Sequence, residues 1–187
     1  MQGQQVEQVV CCGDLVDKGL GGDAVVRLLR ERNIPSIRGN HDVMARQDQQ
    51  WLRRTYGSSH PMLLTDETLA YLDELPSSLA FVWEGKHILI AHGTPQSDDE
   101  YLFPYSSQNQ FERVSQSCDA DILILGHTHE PMMALVGEKW IFNPGAVCGK
   151  QTHGSETCAT LSLSDLSFRV FDIRNGKRVQ PAYIEYG

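Results

Sequence analysis

Apolar residues along this chain come in short runs broken by glycine-centred polar turns, and the spacing within each run decides which element it predicts. Residues 6–12 form an apolar run that stops at Gly13-Asp14, and residues 34–38 form another that stops at Gly39-Asn40; both predict strands. Between them Val25, Leu28 and Leu29 fall at helical spacing, with Asp23 placed to cap the helix and Asn33 to end it. A second helix is predicted over residues 42–56, burying Met44, Trp51 and Leu52. Thr65 followed by Asp66 and Glu67 reads as a third helix start, Leu69, Leu72 and Leu75 as its apolar stripe, and Pro76 as its end. Residues 80–83 and 87–91 flank Glu84-Gly85-Lys86, which predicts a hairpin whose second strand runs out at His92-Gly93. Phe111, Val114 and Cys118 predict one more amphipathic helix, before a fully apolar strand over 122–125 that ends at Gly126-His127. The remainder reads as strands at 132–136, 139–142, 157–163 and 168–173. Helices and strands alternate early and hairpins dominate late, which predicts an α/β architecture with more than one sheet or one large mixed sheet.

Composition narrows the class. The 187 residues suit one domain spanning 1–187, and no repeat or Gly/Ser/Pro-rich linker divides them. With 41% apolar and 21% charged residues the chain falls among globular proteins. Lys and Arg number 16 against 24 Asp and Glu, a net charge of −8, which argues against long nucleic acid or an anionic membrane as partner. No apolar run is long enough to span a bilayer, and the first eight residues are polar; the expectation is a soluble, cytoplasmic protein. The five cysteines, Cys11, Cys12, Cys118, Cys148 and Cys158, form an odd set without metal-knuckle spacing and read as reduced core residues.

Four times an apolar strand runs out into a glycine-flanked turn carrying Asp, Asn or His: GDLVDKG at 13–19, GNHD at 39–42, AHGTP at 91–95 and GHTH at 126–129. Ligands of open α/β sheets gather outside the carboxyl ends of strands, so these turns can converge on one pocket. Carboxylate, amide oxygen and imidazole together suit Zn, Mn or Fe better than Ca or Mg, and the lack of thiolates in the turns disfavours a structural zinc site. Taken singly, each turn has a plainer explanation. Asp14 alone is most often a turn or cap residue, Asn40 and His41 can bond loop backbone, and His92 can be a satisfied strand-end histidine. GHTH resists that reading, because two imidazoles two residues apart after a buried strand would each need a separate excuse. His60 before Pro61, His87 at a strand start and His153 in a polar turn keep the plain reading.

The ordered set GDLVDKG, GNHD, AHG and GHTH, followed by NPGAV at 143–147, resembles the calcineurin-like metallophosphoesterase superfamily, most of all its compact bacterial and archaeal phosphodiesterases. The resemblance covers roughly residues 6–173. It implies two mixed β-sheets packed as a sandwich flanked by helices, with a dinuclear site at the strand ends. It makes Asp14 the carboxylate bridging two divalent metals (Mn, Fe, Zn or Ni), Asn40, His92 and His127 the remaining ligands of the second metal, and His129 a ligand of the first. His41 then lies over the phosphate, stabilising charge or protonating the leaving oxygen, with Asp42 orienting its ring. The implied reaction is hydrolysis of small phosphodiesters or phosphomonoesters by a hydroxide bridging metals about 3.5–4 Å apart.

One family feature has no counterpart. The opening strand with Asp-x-His is missing, since residues 1–12 hold one acid, Glu7, and no histidine; residues 1–5 resemble only the tail of the helix that follows that strand. The expectation is a chain that begins about thirty to forty residues late, lacking the first strand and helix. The first metal then keeps only Asp14 and His129, so this chain is expected to hold one metal tolerably and the other poorly, and to turn over phosphoesters slowly or not at all. The unpaired edge favours aggregation or pairing with a partner, a homo-oligomer included. The alternative function is a non-catalytic metal-binding or protein-interaction scaffold of the same fold, since a retromer subunit resembles this family. His41 favours catalysis; the missing motif favours the scaffold. Residues 94–107, rich in acids and aromatics, read equally as a lid, a solvated loop or an oligomer contact.

Overall fold

A computed structural model describes residues 6–148 and 155–187. The expected helix tail at residues 1–5 and His153 lie outside the described residues. Residues 6–12 and 34–38 do not form the two predicted strands: they meet in one parallel bridge, Cys11 with Ser36. Cys11 N–H donates to the Pro35 carbonyl (3.0 Å) and Ile37 N–H to the Cys11 carbonyl (3.2 Å). Two features cut the ladder short. Pro35 has no N–H to give, and the chain turns sharply at Gly13 (φ 89°) and Asp14 (φ 57°).

Helix α1 (Gly22–Glu31) follows, with Asp23 in its first turn rather than at the cap, and Asn33 closing it at φ 50°. Helix α2 (Asn40–Tyr56) starts two residues earlier than predicted and, of the three residues expected to be buried, buries only Leu52. Met44 and Trp51 are 43% and 55% exposed, while Asp42, Ala45, Gln49 and Leu52 turn inward. The polar Gln49 tolerates burial because its amide is used: it accepts from Leu64 N–H (2.8 Å) and donates to the Met62 carbonyl (3.1 Å). Helix α3 (Asp66–Glu74) is capped by Thr65, whose hydroxyl accepts from Thr68 N–H, and its Leu69 and Leu72, with Leu75 beyond, are buried as the stripe predicts. These three helices pack around Leu15, Val16, Val26, Leu29 and Leu64.

The main sheet holds six strands: β1 (Ser78–Trp83), β2 (Lys86–Ala91), β3 (Ile122–Ile124), β4 (Met132–Val136), β5 (Lys139–Asn143) and β9 (Ala182–Tyr186), in the order β1-β2-β3-β5-β4-β9. Pairs β1/β2 and β4/β5 are antiparallel, whereas β2/β3, β3/β5 and β4/β9 are parallel. The apolar runs of β2 and β3 are explained by cover on both faces. Leu123, Ile141 and Ala91 face Phe111 and Val114 of helix α4 (Gln108–Gln116). Ile88, Ile122 and Phe142 face the other way, onto Leu161 and Phe168 of the second sheet and Leu163 in its first turn. That second sheet, β6 (Thr157–Ser162), β7 (Ser167–Asp172) and β8 (Arg178–Val179), is antiparallel throughout, not mixed, and Phe142 stacks on Phe168 across the gap with centroids 4.7 Å apart. The short strands β8 and β9 were not predicted. Among the described residues no helix is long and apolar enough to cross a membrane.

Candidate metal centre

The parallel strands β2, β3 and β5 end side by side at Ala91, Ile124 and Asn143, and the register carries their following residues into one place. Gly126 N–H donates to the His92 carbonyl (2.8 Å), tying the turn after β3 to the turn after β2. Asn143, 1% exposed, donates its amide to the Gly126 carbonyl (2.6 Å) and the Thr128 hydroxyl (3.0 Å) and accepts from Gly145 N–H (2.9 Å). It thus clamps the GHTH turn from the neighbouring strand. Backbone strain collects here: of the described non-glycine residues with positive φ, Asp14, Asp17, His127 and His129 (57°, 79°, 64° and 60°) all belong to this region.

Asp14, Asn40, His92, His127 and His129 come together as the sequence predicts. His92 Nε2 lies 3.3 Å from Asp14 Oδ2, 3.2 Å from Asn40 Oδ1 and 3.2 Å from His127 Nδ1, and His129 Nε2 lies 3.9 Å from Asp14 Oδ2. Ligand atoms of Asp14, His92 and His127 all fall within 4.8 Å of one another. Gly39 makes the approach feasible, since a Cβ there would collide with Asp14 Oδ1 and lie 2.7 Å from His92 Cε1.

The donor set decides what the cluster is for. His92 Nδ1 sits 2.7 Å from the Cys12 carbonyl, an obligate acceptor, so in the neutral ring the proton belongs on Nδ1 and the Nε2 lone pair faces the centre. Around that lone pair stand Asp14 Oδ2 and Asn40 Oδ1, both acceptors. Asp14 Oδ2 is buried and accepts no hydrogen bond, a cost that a divalent cation would remove. Burial opposes ionisation of Asp14, but the imidazoles of His129 and His92 outweigh it and hold the carboxyl well below the usual range. Burial likewise works against a cationic His92, but Asp14, the Cys12 carbonyl and Asp42 together outweigh it, so that ring is shifted up; burial and then His92 push His127 down. Convergent acceptors around a buried carboxylate fit a borderline divalent metal.

His41 reaches the centre from the first turn of α2, its N–H donating to Asp14 Oδ1 (3.1 Å). Asp42 does not orient its ring. The Asp42 carboxylate is 3% exposed and both oxygens are occupied, Oδ1 by Leu15 N–H (2.9 Å) and Oδ2 by Gly39 N–H (2.8 Å). It holds the GDLVDKG and GNHD turns together, and burial, reinforced by the Asp14 charge, pushes its carboxyl up to about 6 against those two donors. The partner of the His41 ring is Asp17, with Oδ2 2.7 Å from Nδ1. Asp17 and Asn143 lay inside quoted motifs, GDLVDKG and NPGAV, without a role; only their geometry reveals one.

The cluster opens into a cleft of about 350 Å³ lined by Asp14, Lys18, His41, His127, His129 and the rings of residues 101–105. The 94–107 segment is pinned along its length. Leu102 is buried in the core, Glu100 bonds the Thr94 hydroxyl (3.0 Å) and pairs with Arg113, Gln110 donates to the Tyr101 carbonyl (2.7 Å), and Asp98 faces Arg38 at 3.7 Å. Tyr101 stacks on His127, centroids 3.8 Å apart.

The model of the calcineurin-like phosphoesterase superfamily domain matches residues 1–166. The uncharacterized protein MJ0912 of Methanocaldococcus jannaschii is 25% identical over 201 residues, covering 95% of this chain and 79% of that protein. Among solved structures, a metallophosphoesterase from Sphaerobacter thermophilus shares the fold with a TM-score of 0.64 at 21% identity, over 95% of this chain and 79% of that one. A Vps29 single mutant from Entamoeba histolytica does so with a TM-score of 0.57 at 19% identity, over 95% of this chain and 83% of that one.

Proposed function

The chain belongs to the calcineurin-like phosphoesterase superfamily, and from that premise we propose that residues 1–187 act as a metal-dependent hydrolase of small phosphodiesters or phosphomonoesters, with the Asp14 cluster as its metal centre. The observation that carries the reading is the buried, hydrogen-bond-free Asp14 Oδ2 facing the Nε2 lone pair of His92. Asp14, Asn40, His92 and His127 would hold one cation, drawn from Mn, Fe, Zn or Ni; His129 with Asp14 would offer a second only a partial set. A cation bound there supplies Lewis-acid charge at the phosphoryl oxygens and acidifies the attacking water. Asp17 accepts the Nδ1 proton of His41 and leaves Nε2 to the cleft the ring lines, where it can give a proton to the leaving oxygen. The Asp42 carboxylate, the Asn143 amide and the Cys12 carbonyl keep the turns and the His92 ring in register, so that little reorganises during the reaction. The substrate is a small phosphoester rather than long nucleic acid, given the net charge of −8.

Turnover of a generic diester such as bis(4-nitrophenyl) phosphate, with Mn added, tests the reading. We expect metal-dependent hydrolysis, lost in Asp14→Asn together with bound metal, and reduced about 10²–10⁴-fold in His41→Ala with metal retained. The scaffold alternative draws support from the exposed Val43, Met44 and Trp51 on α2, and it predicts metal uptake without turnover of any phosphoester.

A further inference from the structure

Three alternate residues of the pinned segment, Tyr101, Phe103 and Tyr105, stand in a column. Neighbouring centroids are 5.2 and 5.0 Å apart, with planes within 3° and 6° of parallel. The inner end of the column rests on His127, so the stack begins at the candidate metal centre and runs outward along the cleft wall. Tyr101 and Tyr105 are 48% and 75% exposed. Open aromatic rings gain nothing from water, and a loop that only connected β2 to α4 would be better served by polar side chains. Nor are these rings free to collapse, because Leu102 between the first two is anchored in the core, the Glu100, Gln110 and Asp98 contacts hold the backbone before it, and Phe103 N–H donates to the Ser106 hydroxyl (3.1 Å) after it. The rest of the cleft lining is polar or charged, with Lys18, His41, Thr128 and Glu130. One wall is therefore built for charge and the other for flat carbon.

We propose that the Tyr101–Phe103–Tyr105 column is a specificity wall that selects phosphoesters carrying a flat aromatic group. The proposal rests on the phosphoesterase reading of the same cleft and names its substrate class. With phosphorus at the Asp14 end, an aromatic group joined through a short linker meets the ring edge of Phe103, whose faces are spent on Tyr101 and Tyr105, so the contact is edge to face. A longer linker reaches the outer face of Tyr105, where the ligand ring extends the stack. An alkyl group makes neither contact.

Calorimetric titration of the Mn-loaded protein with phenylphosphonate, an adenosine phosphonate and methylphosphonate tests this without turnover. Both aromatic ligands should bind about tenfold tighter than methylphosphonate. In Phe103→Ala/Tyr105→Ala that ratio should fall to within about twofold. Phe103→Leu/Tyr105→Leu, which keeps apolar volume without π-systems, should do the same if the alanine variant unfolds, and Tyr105→Phe should keep the ratio. A tighter adenosine ligand assigns the wall to nucleobases, and equal gains assign it to aryl groups in general; both support the proposal. Equal affinity of the native protein for all three, or a ratio that survives both double variants, overturns the wall and leaves the hydrolase reading standing. Failure of every phosphonate to bind, together with no turnover, overturns both.

Discussion

Asp14 sits where it does because residue 39 has no side chain. A methyl group at Gly39 would strike Asp14 Oδ1 and crowd His92, so Gly39→Ala should lower Mn affinity at least tenfold and cost about 1–3 kcal/mol of stability, read by metal titration and thermal melting. Asp17 reaches His41 from a left-handed backbone position and touches none of the candidate ligands by any hydrogen bond or ion pair described above. Asp17→Asn should therefore reduce kcat about 10–100-fold with bound metal unchanged, and a loss of metal in step with kcat would contradict its assignment as a positioning residue for His41. Asn143→Ala removes one of the two donors to the Gly126 carbonyl, which keeps Thr128 N–H (2.7 Å), and leaves Gly145 N–H without its partner; it should cost about 1–3 kcal/mol, with the GHTH turn exchanging its amides faster. At this scale the sequence was legible in which side chains meet. Five donors on four glycine-flanked turns do converge, because strand ends of a parallel sheet share one edge. It failed for Asp42, since a carboxylate beside a histidine in the chain points off a helix in a different direction, and the ring found Asp17 instead.

Among the elements, the segment joining β2 to α4 gains most from being seen in three dimensions. Its aromatic and acidic composition fitted a lid, a solvated loop or an interface equally well, and only the burial of Leu102 and the pairing of Glu100 show a fixed strap. Burial raises the Glu100 carboxyl, but Arg113, Thr94 and Gln110 outweigh it and leave it below its ordinary value. A carboxyl lowered on folding contributes stability above its unfolded pKa of about 4.3 and loses it as pH falls through the folded value. Protection from hydrogen exchange across residues 98–106, taken relative to the intrinsic rate, should accordingly fall below about pH 4, and Glu100→Gln should quicken exchange roughly three- to tenfold at neutral pH. Helix α2 shows the opposite limit. Periodicity assigned its buried face to Met44, Trp51 and Leu52, of which only Leu52 is buried; hydrogen-bonded Asp42 and Gln49 turn inward beside it, and Met44 and Trp51 stay exposed.

Across the whole molecule, the apolar runs of β2, β3 and β5 made the sheet legible, because strands covered on both faces carry unbroken apolar sequence. The edge strand β9 lacked that signal: Ala182, Tyr183 and Glu185 are exposed, and its identity as a strand comes from pairing with β4. Phe142 joins the two sheets, fully buried against Phe168, and directly precedes Asn143 in β5. Phe142→Ala should cost about 3–5 kcal/mol and lower metal affinity along with the melting temperature, since the clamp on the GHTH turn hangs from the same strand. The central claim is that these strand ends build one cation cage around Asp14. Anomalous diffraction from Mn-soaked crystals tests it most directly. The account predicts a peak within bonding distance of Asp14 Oδ2, Asn40 Oδ1 and His92 Nε2, and a Mn peak found elsewhere with this cluster empty would contradict it.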